Sequence, residues 1–364
     1  MHKDFHLYGT YLAARTAGMN INTAQKIAYA AQAVDDFTYS DYATCQSPGQ
    51  MIKTDLEVLK CFWADFHFLP GDIDTQGLDP ERKYITKPSG CLFDFISETV
   101  KDCVTALSNV NVTADFSEDD YCAIIGVAMH IIADTYAHQG FSGMPSKLNL
   151  VKNLKMCGKE GLHFDLLNLS ESYVPKWFTK IYPKGSIGHG TAGNAPDISW
   201  INFEYVSGDG RQVQRDNIEI FSDAFVKIYE LLGDNTGDPA SIKQTITSFL
   251  QWYRNDQLKT NDKKAYYECN DVTFENLLKL NSFRLAGVNC QQEFDNLNTG
   301  YEAYIKDINK LATAYNICID CKNKDTVCVK TVMFKKLSEN SLFFATYHIR
   351  ELIAKKLDPD LKDI

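Results

Sequence analysis

The stretch IIGVAMHIIADTYAHQGFSG, residues 124–143, sets His130, Asp134 and His138 at four-residue intervals within an apolar run that ends in a glycine-bearing turn. Four residues advance a helix by about 400°, so the three side chains drift only about 40° per step and form one row. The neighbours are too apolar for an exposed face, and buried polar groups in a row need partners. Two readings compete: a hydrogen-bonded core, or imidazole and carboxylate ligands for a metal ion. Ser117 followed by Glu118, Asp119 and Asp120 supplies a capping residue and an acidic first turn, which predicts a helix over 118–138.

The same period recurs along the chain. In NTAQKIAYAAQAVDD, residues 22–36, the apolar groups Ile27, Ala30, Ala31 and Val34 mark one helix face. Helices are likewise expected over 91–109, 145–156, 162–169, 214–232, 240–254, 271–283, 292–316 and 338–357. Only VCVKTVMF, residues 327–334, reads as a strand. Long Gly/Pro-marked loops cover 69–90 and 182–200, and a turn at 233–241 separates helices. The expected fold is mainly α, a large helical bundle. Residues 1–207 would form a metal-binding catalytic core, with a C-terminal helical region over 208–364 packed on it or continuous with it.

Of eight histidines, seven precede residue 190, several beside carboxylates. His2, Asp4 and His6 alternate at the start. Asp35 and Asp36 close the first long helix, where carboxylates oppose the helix dipole and call for a cation. Asp65 and His67 lie in WADFHFLPGD, and His189 opens HGTAGNAPD, which ends at Asp197.

The 364 residues carry 37 basic against 47 acidic side chains, a net charge of −10. That balance argues against a general nucleic-acid or anionic-membrane surface. A phosphorylated substrate stays open, because bound divalent cations reverse the local field. The N-terminus lacks a signal-like apolar segment and no apolar run approaches a membrane span, so a cytoplasmic protein is expected, with no transmembrane segment. Eleven scattered cysteines do not form a secreted disulfide framework. Cys318, Cys321 and Cys328 have the spacing of a partial structural metal site, with free thiols or a disulfide the favoured readings.

Together, HKDFHLYGTYLAARTAG, AYAAQAVDD, FHFLPG, MHIIADTYAHQGFSG and GHGTAGNAPD resemble a bacterial family of uncharacterised proteins. This group is distantly similar to the superfamily of zinc-dependent phospholipase C and single-strand-specific nucleases. The resemblance covers about residues 1–200 and implies an all-helical fold with two or three zinc ions, here with extra C-terminal helices. In that superfamily the ligands run in order: N-terminal residue, His, Asp, His, a His-x3-Asp helix, a further His, and a final His-x3-Glu/Asp.

Carried over, His6 matches the first histidine, Asp36 (or Asp35) the aspartate, and His67 the next histidine. His130 and Asp134 match the helical pair, and His138 the histidine after it, four residues on rather than six. The superfamily's N-terminal amino group comes from signal cleavage; with Met1 before His2 and no signal here, Asp4 is the candidate substitute. His189 lacks a carboxylate until Asp197. One ion would thus take Asp36, His67 and His130, a second His6 and Asp134 with Asp4, and a third His138 and His189 with Asp197.

The reaction implied is hydrolysis of a small-molecule or lipid phosphoester, with Asp36 or Asp35 orienting or deprotonating water. Iron or manganese also suits these donors. A non-haem iron oxygenase is therefore one alternative. The other is a metal-stabilised scaffold or effector whose C-terminal half binds a protein partner.

Overall fold

The acidic signature ahead of the ligand row is a capping box. Ser117 Oγ accepts from the Asp120 N–H, and the Asp120 carboxylate accepts from the Ser117 N–H. This cap starts the helix Glu118–Ala137, which is buried along nearly its whole length and runs through the middle of the protein. The computed structural model describes residues 1–39, 65–108, 116–157, 163–165, 188–233, 237–258, 272–279, 290–320 and 340–357.

In chain order the elements begin with a π-helical segment, Asp4–Gly9, continued by α1 (Thr10–Thr16) and α2 (Ile21–Tyr39). Then follow the one-turn α3 (Pro80–Lys83), α4 (Cys91–Ser108) and the central α5 (Glu118–Ala137). Four strands come next: β1 (Val151–Cys157), β2 (His163–Asp165), β3 (Asn202–Ser207) and β4 (Gln212–Asp216). The chain closes with α6 (Asn217–Leu232), α7 (Pro239–Gln257), α8 (Thr273–Lys279), α9 (Cys290–Asp320) and α10 (Ser341–Leu357). The fold is mainly α.

Helices α2, α4, α6 and α10 pack around α5. Gly126 makes the approach of α2 possible: a Cβ there would lie 2.4 Å from the Ile27 carbonyl oxygen and 2.6 Å from Ala30 Cβ. The main apolar core draws on both sides of residue 207, from Phe5, Ile27 and Ile131 to Phe225, Phe249 and Leu342. A smaller core, with Phe68, Phe141, Trp200 and Phe203, lies between the sheet and the end of α5.

The helices expected over 145–156 and 162–169 are corrected by the structure. Residues 151–157 and 163–165 are strands of an antiparallel sheet ordered β2-β1-β3-β4. A bulge between Lys152 and Lys155, where Asn153 takes φ 53°, buries Val151 and Leu154 with two exposed residues between them. That three-residue spacing imitates a helix face. The β3–β4 hairpin was legible in the alternation of NFEYVS, with Phe203, Tyr205 and Ser207 facing inward, but was not expected. The 69–90 loop contains α3 and is pinned by bridges Pro70–Thr86 and Ile85–Ser142 and by an Arg82–Asp209 ion pair of 2.9 Å. The strand expected over 327–334 and the side chains of Cys318, Cys321 and Cys328 lie outside the described residues. Among the described residues no helix is long and apolar enough to cross a membrane.

Candidate metal centre

The row on α5 points at the N-terminal segment, the end of α2, and two loops. Three groups converge there, each with ligand atoms mutually within 4.8 Å: His6, His130 and Asp134; Asp35, His67 and His130; His138, His189 and Asp197. His130 belongs to the first two. Asp134 lies at the junction, with Oδ1 3.2 Å from His6 Nε2 and Oδ2 2.9 Å from His67 Nδ1 and 3.2 Å from His130 Nε2.

Backbone carbonyls orient three of the imidazoles. His130 Nδ1 donates to Ala31 O at 2.9 Å, across the interface that Gly126 brings close. His138 Nδ1 donates to His67 O at 2.7 Å, and His189 Nδ1 to Gly193 O at 2.9 Å. Gly193 presents that carbonyl from φ +58°, a conformation costly for residues with a Cβ. A carbonyl only accepts, so Nδ1 carries the proton in each ring and Nε2 turns its lone pair inward. There it meets carboxylate oxygens: His138 Nε2 lies 2.9 Å from Asp197 Oδ1, and His189 Nε2 3.3 Å from Asp197 Oδ2.

A lone pair against a carboxylate is repulsive unless a second proton or a cation lies between them. The His6 ring, stacked on His130 with centroids 3.9 Å apart, is buried, and neither nitrogen makes a well-aligned hydrogen bond among the described residues, although Nε2 lies 3.2 Å from Asp134 Oδ1. Imidazoles fixed by outer hydrogen bonds, with nitrogen and carboxylate oxygen converging, fit a divalent cation. The structure thus holds His/Asp groups able to bind metal ions.

The chain belongs to DUF6765, a family of unknown function.

The family model matches residues 1–345, a span that takes in every clustered residue. No curated protein and no solved structure matches the chain.

Two expected ligands go elsewhere. Asp36 is in none of the three groups; its carboxylate accepts from the Tyr301 hydroxyl, while its neighbour Asp35 takes the place beside His67 and His130, each 3.9 Å from Oδ1. The periodicity of α2 contains the signal, since Asp35 lies one turn beyond Ala31, whose carbonyl meets His130. Asp4 is also outside the cluster: its carboxylate accepts from the Phe274 and Glu275 N–H groups at 2.8 and 2.9 Å. In its stead the Met1 nitrogen enters, bonded to Asp134 and 3.3 Å from Asp197 Oδ1.

Burial and neighbouring charges compete across the cluster. Burial pushes Asp35 up to about 8, with His67 and the Met1 amine opposing. Burial also works against ionised Asp134, but His138, the Met1 amine, His130 and His6 hold its carboxyl well below the usual range. Asp197 is held low in the same way, against burial, by His189, the Met1 amine and His138. Burial, His130 and the amine depress His6, and burial depresses His189. The amine itself rises to about 10, because Asp134, Asp197 and Asp35 outweigh its desolvation. Perturbed groups concentrate at functional sites and also in structural ion-pair networks, so the cluster is a candidate site.

Proposed function

We propose that this chain is a metal-dependent hydrolase acting on phosphoesters, with zinc as its resident metal. The convergence of three largely buried His/Asp groups around Asp134 carries the reading. Imidazole nitrogen mixed with carboxylate oxygen suits zinc, and iron or manganese next. His130 has one free nitrogen and so serves one ion only: Asp35, His67 and His130 would hold one ion, His6 and Asp134 a second, and His138, His189 and Asp197 a third. Bound divalent cations supply a water of lowered pKa and neutralise the charge that develops on the phosphoryl oxygens.

The remaining work belongs to the protein. Asp134 presents both oxygens to different groups and so fixes their relation. Asp35, at 18 % the most exposed of the three carboxylates, is placed to orient an entering water and accept its proton. Phe68 stacks on His138 with ring centroids 4.7 Å apart, an apolar cover that strengthens charge interactions beneath it. A small-molecule or lipid phosphoester fits an acidic protein whose local field is reversed by metal.

The test is hydrolysis of bis(p-nitrophenyl) phosphate by zinc-loaded protein. Turnover that disappears with chelator and in His130→Ala supports the reading. A fully loaded protein that turns over neither this diester nor its monoester contradicts it. Iron in the protein as purified, with oxygen consumption, moves the assignment to an oxygenase.

A further inference from the structure

The third group is held from behind by one short segment of the chain. Arg215 on β4 lies opposite Phe203 in the hairpin register, which turns it inward, and its guanidinium packs 5.6 Å from the Phe203 ring. One Nη donates to Gln139 O at 2.7 Å and the other to Ala137 O at 2.7 Å. These two carbonyls flank His138. Two residues later, the fully buried Asn217 donates from Nδ2 to Ala195 O and Ile198 O, both at 2.8 Å. Those carbonyls bracket Asp197. Between them Asp216 accepts from the Ile218 N–H and starts α6, fixing how far apart the two donors sit.

His138 and Asp197 come from chain segments 59 residues apart, yet their ring nitrogen and carboxylate oxygen meet at 2.9 Å. His138 also lies just beyond the last turn of α5, where helix carbonyls lack intrahelical partners and favour a cation. Residues 215–217 answer both needs at once. We propose that Arg215 and Asn217 are positioning residues, a clasp that sets the His138–Asp197 separation and with it the metal affinity of the third group alone. The inference rests on the metal-centre reading above. It also gives the β4–α6 junction, which carries no ligand, a defined part in the site.

Zinc-loaded wild type is compared with Asn217→Asp, which keeps the side-chain size but loses both N–H donors, and with Arg215→Lys, which keeps the charge but cannot span two carbonyls. Bound zinc is counted after incubation with graded chelator, and melting temperatures are taken with and without metal. One zinc per chain should leave each variant at about 10- to 100-fold lower chelator, as for lost outer-shell partners, with the rest retained as in wild type. A merely structural role would lower both melting temperatures equally and leave zinc retention unchanged. Unchanged retention, or simultaneous loss of all zinc, overturns the clasp. Arg215→Lys carries the test should Asn217→Asp not fold. Wild type that binds no zinc overturns the metal reading itself, and the clasp falls with it.

Discussion

Asp35 and Asp36 are adjacent carboxylates in different chemical settings. Asp35 faces His67 and His130, whereas Asp36 accepts from Tyr301 on α9. Asp35→Asn should therefore lower phosphoester turnover by roughly 10²–10⁴-fold, the usual share of a general base. Asp36→Asn keeps an acceptor for the Tyr301 hydroxyl, so it should leave turnover within a few-fold and lower stability by about 1 kcal/mol, the difference between a charged and a neutral acceptor. Steady-state rates beside urea melts decide between them, and equal loss of rate in both variants would contradict the assignment. Sequence reading left the pair open because helix spacing narrows a face but not a single residue at a helix end. Asp4 shows the converse: its His-Asp-His setting invites a ligand assignment, yet it caps α8, an element 270 residues away in sequence that no local pattern reveals.

At the scale of elements, α5 is the rigid frame and Gly126 the residue that lets α2 reach it. Gly126→Ala puts a Cβ 2.4 Å from the Ile27 carbonyl oxygen, so α2 has to move. The expected loss is about 1–3 kcal/mol of stability, as for overpacked cores. Because the Ala31 carbonyl that orients His130 rides on α2, zinc affinity should fall as well. A variant as stable and as zinc-avid as wild type would count against this packing. Most long helices were legible from their 3.6-residue period and caps, but the N-terminal helical segment Asp4–Thr16 was not among those expected. The sheet was not legible, since the bulge in β1 gives Val151 and Leu154 a helix-like spacing, and its pairing partner lies some fifty residues on. A pattern of period two would have found β3.

Across the whole molecule, the C-terminal helices tie down the segment that carries His6. Glu293 on α9 accepts from Tyr11 and from Arg15, the latter at 2.9 Å, and the main core runs through both halves of the chain. Glu293→Ala should cost about 1.5–3 kcal/mol, the worth of a hydrogen bond to a charged group, as read by chemical denaturation. An unchanged midpoint would mean that this tie does not stabilise the fold. The C-terminal half thus positions the clustered residues of the first, a relation that only long-range contacts disclose. Metal removal should act globally too. At free zinc about 1,000-fold above Kd, binding adds roughly 4 kcal/mol per site, so chelation should lower the melting temperature, and a melting curve indifferent to chelator would contradict a metal-stabilised core.

The central claim is that the buried His/Asp groups hold metal. Elemental analysis of the purified protein, wild type beside Asp134→Ala, tests it most directly, because Asp134 touches the most ligands. The account predicts two or three equivalents of zinc per chain in the wild type and at least one fewer in the variant. Wild-type protein with no bound divalent metal, even after incubation with zinc, would make the row on α5 a hydrogen-bonded core and contradict the account.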